Sequence, residues 1–257
     1  MNHILSATQL DPNYVLLPEG RSSVIVVCEH ASCFIPSEFH NLGLEGDALQ
    51  SHIAWDPGAL DVAQGLAKRL DAKLVVSPVS RLVYDCNRPP TSPDAMPVKS
   101  EAIEVPGNVS LSDDQRDARV ARYYDPFRAS IAAAIANTPN PIIVTVHSFT
   151  PIYHGTPRTV EIGLLHDSDA RLANAMGKIA ASHVDVIVRF NDPYGAQDGV
   201  THTLKEHAID VGHLNVMLEI RNDLIDSPRL QDEMAARLAT WVDAALGDLN
   251  VPMAAQC

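Results

Sequence analysis

The chain has 257 residues and a net charge of −13, because 32 acidic residues oppose 19 lysines and arginines. This length suits one large α/β domain, and we expect residues 1–257 to form a single domain because no linker divides them. The charge argues against nucleic acid or an anionic membrane as a partner, since the average surface would repel either one. A small acidic substrate is compatible with it where arginines cluster.

The sequence also predicts the compartment. The N-terminal 20 residues lack the basic and apolar regions of a signal peptide, and no apolar run approaches the roughly 18 residues of a membrane span. No two cysteines have CxxC spacing, which favours reduced thiols that serve as packing groups in a cytoplasmic protein. The cysteines are Cys28, Cys33, Cys86 and Cys257.

The first half of the chain begins with a strong β pattern. The near-continuous apolar run SSVIVVC (22–28) predicts a strand that is covered on both faces. Helical spacing of apolar residues follows over 57–72, and KLVVSPVS predicts a strand over 73–80. Residues 81–110 are rich in proline and lack periodicity, so we predict a long ordered excursion of the kind that tends to be functional.

The second half alternates strands with helices. Residues 110–137 predict a long helix with an N-terminal cap at Ser112 and a bend at Pro126. Further strands are predicted at 141–151, 159–166, 185–190 and 215–221, and further helices at 168–182 and 227–246. This alternation indicates an α/β fold with three αβα layers, in which a mostly parallel mixed sheet carries helices on both faces.

Polar residues stand at the ends of three predicted strands. His30 follows the first strand, His147 ends another, and Glu219 with Arg221 ends a third. Ligands of open α/β sheets bind beyond the carboxyl ends of the strands. We therefore expect these side chains to converge on one edge of the sheet.

Two histidines at strand ends suggest a metal site. A catalytic zinc ion takes three N, O or S ligands from the protein and leaves a fourth position for water. His30 and His147 are the first choices, and a carboxylate from Asp56 or Glu29 is the third. For Asp56, the alternative is a helix N-cap beside Pro57.

Five segments between residues 24 and 224 carry a resemblance to a known family. They are EHASCFIP, HIAWDPGA, SRLVYDCNRPP, VTVHSFTP and LEIRNDL. Together, and in this order, they resemble the N-formylglutamate amidohydrolase family. The resemblance implies the fold of the zinc-dependent exopeptidases, which is phosphorylase/hydrolase-like. It also implies metal-dependent removal of an N-formyl or other small N-acyl group from an acidic amino acid such as N-formylglutamate.

The resemblance assigns the metal ligands. It implies Zn²⁺, or another divalent metal, held by His30, Asp56 and His147. Carboxypeptidase-like relatives have a glutamate three residues after the first histidine, where this chain has Cys33. That departure keeps Glu29 as the alternative carboxylate ligand.

A general base and groups for the substrate complete the expected site. Glu219 interrupts an apolar strand and is the candidate to take a proton from water and return it to the leaving nitrogen, with a buried ion pair to Arg221 as its alternative. Arginine suits carboxylates because its planar fork binds both oxygens. The candidate substrate-binding residues are Arg81, Asn87, Arg88, Arg221 and His202. A structural pair with Asp85 is the alternative for Arg81.

The loop 191–200 is a candidate substrate lid, through which Tyr194 or His202 would touch the ligand. The partner expected is a small N-acyl amino acid. Three alternatives remain open: a non-catalytic sensor of an acidic metabolite, a zinc amidase acting on another N-acyl amino acid or peptide-like bond, and a thiol hydrolase that uses Cys28.

Overall fold

The structure, a computed structural model, describes residues 14–251, so residues 1–13 of the N-terminal segment and Cys257 lie outside the described part. The strands are β1 (Val24–Cys28), β2 (Lys73–Val76), β3 (Lys99–Ser100), β4 (Ile103–Glu104), β5 (Ile142–Phe149), β6 (Ile152–Tyr153), β7 (Thr156–Pro157), β8 (Ile162–Leu165), β9 (Val188–Phe190) and β10 (Asn215–Arg221). The helices are α1 (Ala59–Leu70), α2 (Asp113–Arg119), α3 (Asp125–Ala136), α4 (Arg171–Ile179), α5 (His202–His207) and α6 (Pro228–Asp248).

Six strands form a central sheet in the order β2-β1-β5-β10-β8-β9. The first four are mutually parallel, whereas β8 pairs antiparallel with β10 and β9 runs parallel to β8. The mostly parallel mixed sheet is therefore confirmed. The carboxyl ends of β1, β5 and β10 share one edge, and the first residues of β8 lie at the same edge because Ile162 pairs with Ile220.

Helices cover both faces of this sheet, as predicted. Val24, Val26 and Cys28 join the core beneath α1, α4 and α6. Ile25 and Val27 join the core on the opposite face, where α3 packs. Because successive strand residues point to opposite faces, β1 must be apolar at every position. Among the described residues, no helix is both long and apolar enough to cross a bilayer.

The segment predicted as one long helix forms two helices. The Ser112 hydroxyl accepts the Gln115 backbone N–H, which confirms the predicted cap of α2. A π-helical turn over Val120–Tyr124 then separates α2 from α3. Pro126 has no N–H for the carbonyl of Arg122, and that carbonyl accepts the Tyr14 hydroxyl instead. The chain therefore widens just before the proline, where we had expected a bend.

The proline-rich excursion is tied down by buried polar groups. Asn108 donates to the carbonyls of Leu82 and Pro97, and Arg119 donates to the Val83 carbonyl and the Asn108 side chain. These bonds order a segment that has little regular structure. The β3–β4 hairpin inside it and the β6–β7 hairpin after β5 both contribute to the cavity described below.

Candidate active site

The edge at the carboxyl ends of β1, β5 and β10 gathers the polar residues that the sequence places at strand ends. Glu29 and His30 directly follow β1, His147 lies in β5, and Glu219 lies in β10 directly opposite His147. Because β5 lies between β1 and β10, residues far apart in the sequence become neighbours. The expected convergence on one edge is present.

Three buried side chains point their ligand atoms at one another. His30 Nδ1 lies 3.2 Å from Asp56 Oδ2, His147 Nδ1 lies 2.9 Å from the same oxygen, and the two nitrogens are 3.2 Å apart. Tetrahedral zinc with bonds of about 2.0–2.1 Å sets its N and O ligands about 3.3 Å apart. The triangle therefore fits a divalent ion, to which both imidazole nitrogens and the carboxylate oxygen could bind together.

The loop before α1 holds Asp56 in this triangle. The Asp56 backbone N–H donates to the His30 carbonyl, and Asp56 Oδ2 accepts the Ser148 N–H. Gly58 follows with φ of 80°, and a Cβ there would lie 2.6 Å from the Ile225 carbonyl oxygen. The helix N-cap is Gly58 and not Asp56, so the capping alternative for Asp56 is wrong.

Each imidazole also meets a carboxylate through its other nitrogen. His30 Nε2 lies 2.8 Å from Asp85 Oδ1, and His147 Nε2 lies 3.0 Å from Glu29 Oε2. Such outer carboxylates fix the ring orientation and raise the basicity of metal-binding histidines. Glu29 therefore sits behind His147, whereas Asp56 faces both rings, and the geometry favours Asp56 as the carboxylate ligand.

The pKa values of these groups follow from burial and close opposite charges. Burial alone lowers the pKa of His147, but Glu29 and Asp56 raise it well above its ordinary value. Burial alone raises the pKa of Glu29, yet the His147 ring lowers it overall. Because metal ligation requires an unprotonated imidazole, a metal ion bound at this cluster would displace protons from it.

Arg81 and Asp85 support the cluster from outside. Arg81 donates to Asp85 at 2.8 Å and to Asp56 at 3.4 Å, and Asp85 also accepts the Asn87 N–H. The structural pair of Arg81 and Asp85 is thus present, while Arg81 also lines the cavity. Asp85 was not predicted as a partner of His30, although it stands between two arginines in SRLVYDCNRPP.

Glu219 differs from the carboxylates around it. It is 5% exposed and belongs to none of the ion pairs formed by the described residues, whereas Glu29 Oε2 lies 3.0 Å from His147 Nε2. Burial raises the pKa of Glu219 to about 7, an effect that His147 opposes and the Asp56 charge reinforces. A carboxyl that titrates near neutrality suits general acid and base catalysis. Its alternative, an ion pair with Arg221, is absent from the described residues, because Arg221 pairs with Glu161 and Asp223.

Gly163 gives Glu219 and a neighbouring loop room to approach. It lies opposite Glu219 in the antiparallel pair of β8 and β10. A Cβ at this glycine would lie 2.3 Å from the Asp192 carbonyl oxygen and 3.2 Å from Glu219 Cβ. Only glycine lets the chain before Tyr194 pack this closely, and the sequence signal was a glycine that interrupts an apolar strand.

A cavity of about 500 Å³ opens onto this edge. Glu101, on the β3–β4 hairpin, contacts His52 Nε2 and accepts the His154 backbone N–H, so it joins the two small hairpins at the cavity. The ionisable residues that line the cavity are His30, His52, Asp56, Arg81, Arg88, Glu101, His147, Tyr153, Arg158, Tyr194, Asp198 and Glu219. The lining is thus dense in groups that bind ions or transfer protons.

Asn87 and Arg88 line the cavity but hold a loop with their side chains. The Asn87 amide donates to the Val200 carbonyl and accepts the Thr203 N–H, while Arg88 donates to the Gly199 carbonyl. Both residues therefore fix the chain over 199–203. The donor group and the acceptor group of the Asn87 amide are thus both occupied by hydrogen bonds to this loop.

Two of the predicted substrate contacts lie away from the cavity. Among the described residues, those that line the cavity include Tyr194 but neither His202 nor Arg221. His202 Nε2 contacts the Tyr124 hydroxyl at 2.7 Å and the two rings stack. Of the two lid residues proposed from the sequence, Tyr194 is the one positioned to touch a ligand.

Cys28 belongs to the core and not to the cavity. It is fully buried and packs among the residues beneath α1, and burial raises the pKa of its thiol well above the ordinary value. A thiolate is the reactive form of cysteine. This position does not favour a thiol hydrolase.

Comparisons with known proteins agree with this geometry. A sequence model of the N-formylglutamate amidohydrolase family matches residues 22–226. The gene product Atu2144 from Agrobacterium tumefaciens shares 50% identity, with a TM-score of 0.89 over 92% of this chain and 95% of that chain. N-formylglutamate amidohydrolase from Ralstonia eutropha JMP134 has a similar fold, with 16% identity and a TM-score of 0.61 over 91% and 98% of the two chains. The comparison with curated proteins finds no match.

The family match extends over most of the described residues and includes every strand of the central sheet. Fold, site and match together define a hydrolase that acts on amide bonds. The cluster of His30, Asp56 and His147 lies within the matched region. The chain belongs to the N-formylglutamate amidohydrolase family.

Proposed function

We propose that this protein is a metal-dependent amidohydrolase that removes the N-formyl or another small N-acyl group from an acidic amino acid such as N-formylglutamate. The observation that carries the proposal is one cavity that combines a three-ligand cluster with a buried carboxyl whose pKa is raised to about 7. His30, Asp56 and His147 would hold the ion, and two imidazoles with one carboxylate are a donor set that suits zinc.

Glu219 carries the proton in this proposal. When bound, zinc supplies the Lewis acidity that makes water a nucleophile near neutral pH. Glu219 Oε2 accepts the proton that the attacking water loses and passes it to the amide nitrogen as the C–N bond breaks. The products are the free amino acid and formate or another small acid. Glu219 lines the cavity and its Oε2 has no hydrogen-bond partner among the described residues, which supports this role because no protein group holds that oxygen.

The remaining chain residues position the substrate. Arg81 and Arg88 line the cavity and remain our proposed contacts for substrate carboxylates. In this proposal, Asn87 and His202 act on the substrate indirectly, by holding the chain over 199–203 in place. Arg221 also acts indirectly, through ion pairs that lie outside the cavity. The described cysteines are free, which supports the reduced cytoplasmic setting that we include in the proposal.

Metal analysis coupled to a hydrolysis screen tests the proposed function. The purified chain is assayed against N-formyl, N-acetyl and N-succinyl derivatives of glutamate, aspartate and their amides. We expect a stoichiometric divalent ion and hydrolysis of an acidic derivative that stops on chelation and returns with zinc. Hydrolysis that survives chelation but ends on alkylation would support a thiol enzyme. Binding of an acidic metabolite without any hydrolysis would support a sensor.

A further inference from the structure

Arg158 follows β7 and presents its guanidinium to the cavity in an aromatic setting. The guanidinium carbon lies 4.4 Å from the ring centroid of Tyr153, 4.8 Å from that of Tyr194 and 5.5 Å from that of Phe149. It donates to the Tyr194 hydroxyl at 2.9 Å and to the Thr150 carbonyl at 3.4 Å. The charge is therefore half-buried and held in one orientation by neutral groups.

The charge of Arg158 is not balanced by an acidic side chain. Arg81 pairs with Asp85, and Arg221 pairs with Asp223 and Glu161, whereas the ion pairs formed by the described residues do not include Arg158. Arg88 also lacks an acidic partner, but it donates to the carbonyls of its own loop. A partly desolvated cation without a counter-charge is costly, and an anionic ligand would relieve that cost.

The position of Arg158 matches the far end of an acidic amino acid. Phe149 lies two residues beyond His147 on the same side of β5, which is a separation of about 7 Å at about 3.3 Å per residue. Arg158 packs against Phe149 and forms no hydrogen bond or ion pair with the three cluster residues, whereas Arg81 contacts Asp56 directly. A substrate whose acyl carbon lies beside Glu219 would extend its side chain toward Arg158.

We propose that Arg158 binds the side-chain carboxylate of the acidic substrate and thereby sets the preference for acidic over neutral N-acyl amino acids. This inference rests on the proposed function, because it assigns the substrate's orientation in the same cavity. The planar guanidinium accommodates both carboxylate oxygens, and the surrounding rings exclude water from the pair. A neutral amide of the same shape forms the hydrogen bonds without the charge, so we expect about 10- to 100-fold discrimination.

The test compares N-formyl-L-glutamate with N-formyl-L-glutamine, which differ in charge but hardly in shape. With the zinc-loaded full chain, we expect kcat/KM for the glutamate derivative to exceed that for the glutamine derivative by about 10- to 100-fold. Arg158→Gln should bring this ratio to about 1 by lowering only the glutamate value, and Arg158→Lys should give an intermediate ratio. Arg189→Gln, at an exposed arginine on β9, is the matched control and should leave both values unchanged.

Calorimetric binding of L-glutamate and L-glutamine to the same zinc-loaded proteins decides the inference without turnover. A wild-type preference for glutamate that Arg158→Gln abolishes supports it even where neither N-formyl derivative is hydrolysed, a result that would count against the proposed function alone. Equal affinities in the wild type overturn the inference, as does a preference that survives Arg158→Gln or is lost instead in Arg88→Gln. Thermal midpoints close to that of the wild type verify that each variant is folded.

Discussion

Two groups of buried ionisable side chains lie on the same edge of the sheet and differ in how their charge is balanced. Around β1 and β5, each imidazole meets a carboxylate at both nitrogens, through Asp56 together with Asp85 or Glu29. On β10, Glu219 belongs to none of the ion pairs formed by the described residues, and burial raises its pKa to about 7. The first group is fixed by opposite charges on every side, and the second is close to changing its protonation state.

This difference matches two tasks. A metal site needs ligands with a fixed protonation state and orientation, which paired carboxylates supply. A general base needs a pKa near the working pH and an oxygen that is free to take a proton. The protein thus places a rigid ionic cluster beside one poorly compensated carboxyl, and substitutions in the two groups should have different consequences.

The largest expected effect comes from removing an imidazole of the cluster. His30→Ala and His147→Ala should each lose the bound metal and lower kcat/KM by at least about 10³-fold. The two ligands that remain in either variant are too few to hold a catalytic ion. Metal content by mass spectrometry and steady-state kinetics provide the measurement. His202→Ala is the matched control and should retain the metal; metal retained in both cluster variants would show that the ligands lie elsewhere.

Glu219→Gln should separate catalysis from metal binding. The amide keeps the shape of the side chain but cannot accept the proton, so kcat should fall by about 10² to 10⁴-fold while the metal content stays that of the wild type. Parallel metal analysis and kinetics on one preparation make the comparison. A variant with unchanged kcat would remove Glu219 from the proposed mechanism.

The two groups should also respond to pH with opposite signs. In metal-free protein, Glu219 has a pKa of about 7 against an ordinary value of 4.5, so its contribution to stability is full below pH 4.5 and is lost as the pH rises through 7. Glu219→Gln should therefore gain up to about 3 kcal/mol over the wild type above pH 7, and almost nothing near pH 4.5. Denaturant unfolding at several pH values measures this.

Glu29 provides the contrast, because its pKa is lowered overall. Its contribution to stability is present above the ordinary pKa of 4.5 and is lost as the pH falls. Glu29→Gln should therefore destabilise the metal-free protein at neutral pH, by about 3 kcal/mol as for a broken buried ion pair. Changes of the same sign in the Glu29 and Glu219 variants would refute the difference in charge balance.

The smallest expected effect concerns the carboxylate behind His30. Asp85→Asn keeps the side-chain shape but removes the charge that orients the ring, so the metal affinity should fall about 10- to 100-fold. Competition with a chelator of known affinity measures the change. Asp94→Asn, an exposed acid in the same excursion, is the control. An unchanged metal affinity in Asp85→Asn would show that Asp85 serves only its ion pair with Arg81 and does not orient His30.

Much of the fold was predictable because it depends on local pattern. The apolar runs that became β1, β5 and β10 and the helical spacing of α1 and α6 specify their own secondary structure. Pro126 marked a disturbance of this helix in the sequence, but the π-helical turn and the hydrogen bond from the distant Tyr14 hydroxyl to the carbonyl that Pro126 leaves without a partner were not predicted. No periodicity in the segment itself encodes that contact.

The candidate site divides in the same way. Strand ends marked His30, His147 and Glu219, since an ionisable residue at the end of a buried strand is conspicuous in any sequence. Asp85 as a histidine partner was missed, and so was Arg158 in its aromatic surroundings. Neither position carries a pattern of its own, and each is defined by neighbours from other parts of the chain.

The sequence alone therefore determined which segments form the central sheet and which polar residues stand at their ends, but not the four short strands of the two hairpins. Tertiary structure alone decided that Asp56 faces both imidazoles while Glu29 lies behind one of them. The contacting residues of the triangle are 26, 91 and 117 positions apart. Such contacts depend on strand order and on the packing of loops at the sheet edge, which arise from the whole chain and not from any local run of residues.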